Sequence, residues 1–283
     1  MRIALALAVS LAPALSAAKC AHAYLGSLPA HDTPLPANGL VWLEAFGADQ
    51  PVVAALEGGA KAGERAVAKQ SEPANGSASA AERRGNPSDS LPFSAAEAWL
   101  EGAGGRVPLT AKFVNVGSFN LTQTVLQPSK PLKEGQTYAL VLTRDGKAFR
   151  PTERVDGKDV PTTWKVGPAD EAPPVWTGAP VITERTHVEY GCGPAIEVAV
   201  KVPVEGAFAI EVTLQGPKGT SSWWLPVESD GSIRIGHGMC SGAFDVSGGA
   251  ERVATLVAVD AAGNRAPAPE VLRFAGVVSK EGE

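Results

Sequence analysis

Residues 252–265 read Arg252-Val-Ala-Thr-Leu-Val-Ala-Val-Asp-Ala-Ala-Gly-Asn-Arg265. The run is dense in β-branched and aliphatic side chains as far as Val259, then stops at Asp260-Ala-Ala-Gly-Asn264. Strand formers closed off by Asp, Gly and Asn predict a buried β-strand ending in a tight turn. Working upstream, Phe208, Ile210, Val212 and Leu214 alternate with Ala209, Glu211 and Thr213. Ile196, Val198, Val200 and Val202 alternate with Glu197, Ala199 and Lys201 in the same way. A period of two gives each segment one face for a core and one for another surface. Residues 181–190, 221–227, 233–235 and 270–274 bring the total to about seven strands with turn signals between them, the pattern of a β-sandwich. No helix-period stretch of ten residues occurs after residue 23, which disfavours a βαβ fold.

The first half carries the same signature in weaker form. Residues 40–46 alternate, with Leu40, Trp42 and Glu44 on one face, and residues 52–56 are a further strand candidate. Residues 93–101 admit two readings. Ser94 and Glu97 have capping-box spacing for a short helix stopped by Gly102. A strand entering a hairpin through Gly102-Ala-Gly-Gly105 and pairing with residues 107–114 is preferred. Tyr138, Leu140 and Leu142 alternate after Gly135-Gln136, Asp145-Gly146 favours a hairpin, and residues 162–166 supply a closing strand. Residues 61–90 differ in kind: Val67 is their only large aliphatic and there is no aromatic. Such a composition cannot offset its ordering entropy and reads as a disordered insertion. Gly167-Pro-Ala-Asp-Glu-Ala-Pro-Pro174 reads as a stiff linker. The expected organisation is a domain at 33–168, a linker at 169–174 and a domain at 175–277.

Two motifs carry a resemblance. Val257-Ala-Val-Asp-Ala-Ala-Gly-Asn264 resembles the penultimate strand and following turn of bacterial Ig-like and fibronectin-III-like domains. Leu126-x-Pro-x-x-Pro-Leu-x-x-Gly-x-x-Tyr138 resembles the matching strand pair of a second bacterial Ig-like type found in surface-layer and other secreted proteins. The resemblance implies an all-β chain of two tandem Ig-like β-sandwiches with an envelope or extracellular role, and it names no ligand.

The N-terminus reads as a signal peptide at 1–23. Met1-Arg2 is basic, residues 3–15 are almost wholly apolar, and Ala21-His-Ala23 fits an A-x-A cleavage site. The apolar run is shorter than the roughly 20 residues a membrane span needs. Lys19 directly before Cys20 argues against a lipoprotein. The expectation is a secreted, periplasmic or cell-surface protein with no membrane insertion after cleavage. Removing Arg2 and Lys19 leaves 23 basic against 30 acidic residues, a balance unsuited to nucleic acid or an anionic membrane.

Cleavage would also leave two cysteines, Cys192 and Cys240, and an even count in an exported chain reads as one disulfide. His187 and His237 near those cysteines have the residue types of a tetrahedral zinc site, but an oxidising compartment favours the disulfide, so no metal is expected. Gly238-Met-Cys-Ser-Gly242 fits the cysteine form of a nucleophile elbow, yet no helix follows to complete it. There is no P-loop, dinucleotide fingerprint or HExxH. Neither cofactor nor catalytic residue is therefore expected, and the leading expectation is a non-enzymatic protein for envelope interaction or spacing. Its partner would be an envelope protein or a polysaccharide. Trp223-Trp224 offers one alternative: neighbours on a strand point opposite ways, so one indole enters the core while the other either is buried against the first domain or a long side chain or is exposed to stack on a sugar or pack on a partner. A hydrolase using Cys240 is the other.

Overall fold

A computed structural model describes residues 24–50, 53, 56, 97–119, 121–144, 146–191 and 193–279. The expected signal peptide, the 61–90 insertion and Cys192 lie outside the described residues. The first half contributes β1 (Tyr24–Leu28), β2 (Val41–Phe46), β3 (Ala98–Gly102), β4 (Gly105–Val116), β5 (Leu121–Pro128) and β6 (Thr137–Arg144). The short strands β7 (Lys147–Phe149), β8 (Thr152–Val155), β9 (Lys158–Pro161) and β10 (Thr163–Lys165) follow. The sheet order is β1-β2-β5-β4-β3-β6-β10, with β7 also on β6. Strand β4 makes this a sandwich. Its start pairs with β3 and its end with β5, and the register shifts between Ala111 and Phe113. A bulge bends and twists a strand, so the sheet folds over on itself around Val41, Leu43, Leu100, Leu126, Leu140 and Trp164.

The second half contributes β11 (Val175–Trp176), β12 (Val181–Tyr190), β13 (Gly193–Lys201), β14 (Val204–Glu205), β15 (Ala209–Gly216), β16 (Gly219–Pro226), β17 (Ser232–His237), β18 (Glu251–Val259) and β19 (Glu270–Ala275). A three-stranded sheet, β12-β13-β17, faces a four-stranded one, β16-β15-β18-β19. Between them lies a second core, which includes Val198, Val212, Trp223, Ile235, Phe244 and Leu256. The stretch from Arg252 onward is the central strand β18, paired on both sides.

Both halves share one topology. Counting the seven principal strands of each in chain order (β1–β6 and β10; β12, β13 and β15–β19), one face is 1-2-5 and the other 4-3-6-7. Two sheets of antiparallel strands in this order are Ig-like in broad plan. Tyr138 fits it too: at the start of β6 its hydroxyl accepts the Lys133 backbone N–H at 3.3 Å, the tie of a tyrosine corner.

The hairpin preferred for residues 98–114 forms, with Gly102 opposite Gly105. Within the stretch 52–56 expected as a strand, only Val53 and Leu56 are described. Val53 and Leu56 are in helical conformation and buried, because a spacing of three puts both on one face of a turn. Strand β1, directly after the expected cleavage site, carries no sequence signal of its own: Tyr24-Leu-Gly-Ser-Leu28 is too short to show a period.

Candidate functional site

Strand β2 is apolar on both faces, and this builds the site. Val41, Leu43 and Ala45 enter the first core. Leu40, Trp42 and Glu44 turn the other way, and an outward face carrying Leu and Trp must be covered. The second sandwich covers it. Leu40, Trp42 and Val125 pack with Ala209, Trp224 and Val259, flanked by Leu28, Phe113 and Phe208. The Trp42 ring meets Trp224 edge-on at 4.9 Å and Phe208 at 5.1 Å, and Phe113 lies 5.3 Å from Trp224.

A polar pair locks the register of this joint. Gln123 on β5 is 0% exposed. Its amide oxygen accepts the Trp224 backbone N–H at 3.1 Å, and its amide nitrogen donates to the Trp224 carbonyl at 2.9 Å. The side chain thus mimics a strand neighbour, satisfying two buried backbone groups across the joint. The same nitrogen donates to Glu44 Oε1 at 2.9 Å, and Trp223 Nε1–H donates to that oxygen at 3.0 Å.

Burial pushes the Glu44 carboxyl above its ordinary value, against the smaller opposing pull of the Trp223 and Gln123 donors. A carboxyl whose pKa is raised on folding binds its proton more tightly folded than unfolded. Its stabilising contribution is complete below the unfolded pKa and is lost as pH rises through the folded one. Glu44→Gln keeps the acceptor oxygen and removes the ionisation. It is expected to flatten the fall in stability just above the ordinary carboxylate range and to be the more stable form at neutral pH. Urea midpoints measured across that range check this, and an unchanged pH profile would refute it.

The turn after β18 makes a second contact. Gly263 has φ +87°, and a Cβ there would lie 2.6 Å from Leu40 Cδ1, so glycine is needed both for the turn and for the approach. Leu40 N–H donates to the Ala261 carbonyl at 2.8 Å. Asp260 accepts the Ala262 and Asn264 N–H groups, and Asn264 and Asn38 both donate to the Asp170 carbonyl, at 2.9 and 2.7 Å. The expected linker is therefore tied at Asp170 to both halves. A third contact joins the loop at 117–119 to the one at 242–243. Phe119 and Gly242 exchange backbone hydrogen bonds at 3.1 Å, and the Phe119 ring lies 3.7 Å from the His237 ring.

Trp223 and Trp224 do point opposite ways, but neither is available to a ligand. Trp223 is 1% exposed in the second core and Trp224 is 4% exposed in the joint. Of the two readings of the second indole, burial against the first half is what the structure has, and the free indole for a sugar is corrected. Cys240 sits in a turn after β17, partly buried. The residue after Cys192 approaches that turn: a Cβ on Gly193 would be 4.0 Å from the Met239 carbonyl oxygen. His187 on β12 pairs with Ile196, which pairs with His237, and its Nε2 meets Glu189 at 2.8 Å. Among the described residues no group of three or more His, Cys, Asp or Glu is placed to hold a metal. Among them, too, no helix is long and apolar enough to cross a membrane. Gln123 escapes a reading of the sequence: it lies opposite Glu44 on the outward face of β5, where a polar residue is ordinary.

No protein-family model matches the chain, and no curated protein does. Solved structures with similar arrangements include type I pullulanase from Bacillus subtilis complexed with maltose, at 10% identity and a TM-score of 0.22, covering 90% of this chain and 27% of that one. A membrane anchored protein from Corynebacterium diphtheriae matches at 18% identity and TM-score 0.22, covering 69% and 47%. The Ig1-2 module of the Drosophila receptor protein tyrosine phosphatase DLAR matches at 13% identity and TM-score 0.22, covering 90% and 98%. The chain spans about a quarter of the pullulanase's length. At these superpositions the Ig-like plan stands on the strand order of the two halves and not on the likenesses.

Proposed function

We propose that this chain is an exported, non-enzymatic interaction protein of the cell envelope or exterior, in which two tandem Ig-like domains are held at a fixed angle to present a binding surface. The observation that carries the reading is the joint. Domains in one chain move relative to one another by default unless a large hydrophobic interface prevents it. Here four aromatic rings and a fully buried glutamine occupy the contact, an arrangement suited to a rigid spacer. The basic start, apolar run and A-x-A site of residues 1–23 support export. The approach of Gly193 to Met239 supports a Cys192–Cys240 disulfide, as the even cysteine count does. The partner class proposed is an envelope protein or polysaccharide.

Spin labels at the exposed Val155 and Val271, one in each half, test the rigidity. A single narrow inter-label distance distribution is expected by double electron–electron resonance. A broad one in the unsubstituted background would overturn the spacer reading.

A further inference from the structure

The outward face of the first sandwich carries a cleft that the joint does not use. Along β3, Ala98 and Leu100 enter the core, so Trp99 and Glu101 face outward. Trp99 lies opposite Val141 on β6, and Phe149 of β7 closes one side. The cleft has a volume of about 520 Å³, within the range of small-ligand sites. Arg106, Arg150 and Glu101 form its rim. Arg150 is paired with Glu101, whereas Arg106 reaches Glu101 only at 3.9 Å and sets its guanidinium 4.6 Å from the Trp99 ring centre. Two guanidiniums against one carboxylate leave the rim with a net positive charge. Trp99 itself is 7% exposed, and its Nε1–H has no hydrogen-bond partner among the described residues.

We propose that this cleft binds the carboxylate-bearing sugar of an acidic polysaccharide. Arg106, with Arg150, takes the carboxylate, and Val141 and Phe149 form the apolar wall. A ring ligand fits better than an extended peptide. Strand β3 is paired on both sides, by β4 and β6, so the floor has no unpaired main chain on which a peptide could add as a strand. Arg106 is two-thirds exposed and free to swing from the ring onto an anion, and paired guanidinium–carboxylate bonds are among the strong polar contacts.

The inference rests on the interaction role proposed above and gives it a ligand class. Its test is separate from the rigidity measurement, so either can fail alone. The full chain, labelled with ¹⁵N, is titrated with trigalacturonate while the Trp99 indole N–H resonance, assigned by Trp99→Phe, is followed. A saturable shift of that resonance is expected. Arg106→Gln combined with Arg150→Gln, both exposed and compatible with folding, is expected to weaken binding by about tenfold or more. Neutral galactotriose binding equally well would overturn the carboxylate assignment. Hexaglutamate shifting the resonance where trigalacturonate does not would overturn the glycan in favour of an acidic peptide. No shift with any of the three would overturn the site. An unchanged thermal melt for each variant confirms that lost binding is not lost fold.

Discussion

Trp224→Ala is expected to cost about 3–5 kcal/mol, the range for deleting a buried tryptophan, and to uncouple the two sandwiches. Trp224 is 4% exposed and touches Trp42 and Phe113. Each such aromatic pair adds roughly 0.5–1.5 kcal/mol beyond its buried area. The cavity left by alanine would open between two separately cored units, where little holds the walls together once the rings are gone. Urea unfolding followed by fluorescence and circular dichroism should therefore change from one coupled transition to two, with the label distance between 155 and 271 broadening in parallel. Trp224→Phe is the informative partner. It keeps a ring against Trp42 and removes a buried indole N–H that has no acceptor among the described residues, so it should lose much less. A loss below about 1 kcal/mol for alanine, within the scatter of ordinary substitutions, with a single unshifted transition, would mean that the joint does not couple the halves.

The strands of the second half are legible in the sequence because their alternation is strict. Ile196 to Val202 and Ile210 to Leu214 place every second residue in one core, while Phe208 turns into the joint, and Gly, Asp and Asn on either side of the β-branched runs mark their ends. What alternation cannot say is what covers a strand's other face. It puts Leu40, Trp42 and Glu44 together on one side of a strand, and Trp223 and Trp224 on opposite sides. Both statements hold, yet neither reveals that these faces meet each other, because the contact joins residues as distant as Glu44 and Trp223, 179 positions apart. The same limit hides Gln123, which reads as an unremarkable polar residue until its amide is seen bonded to Trp224. Trp99 escapes for a related reason. Residues 93–101 also fit a short helix, and only as a strand do Ala98 and Leu100 turn inward and push Trp99 onto the outer face. Val53 and Leu56 go the other way: an apolar five-residue run carries too few positions to separate a period of two from a turn of helix.

Loss of a Cys192–Cys240 bond is expected to destabilise the second sandwich by about 2–5 kcal/mol. The loop it would close is about 48 residues long, and the chain-entropy model gives roughly 4 kcal/mol for a loop of that length. The geometry adds a consequence beyond stability. The turn that carries Cys240 runs directly into Gly242 and Ala243, whose carbonyls accept the Phe119 and Ser118 N–H groups of the first sandwich. Gly242 is also held hard against His237, since a Cβ there would lie 2.2 Å from His237 Cβ. A turn pinned from the β12–β13 end keeps this docking edge in place. Cys240→Ser should then lower the unfolding midpoint and weaken the 117–119 contact, read as altered backbone amide resonances at Ser118 and Phe119. Free-thiol titration of the denatured, unreduced mature protein should find about zero thiols, by the parity of its cysteines. Alkylation of native protein by iodoacetamide separates the rival chemistry, because a nucleophilic thiolate reacts and a disulfide sulfur does not. Two titratable thiols with a Cys240 adduct would remove the bond and return Cys240 to consideration as a nucleophile.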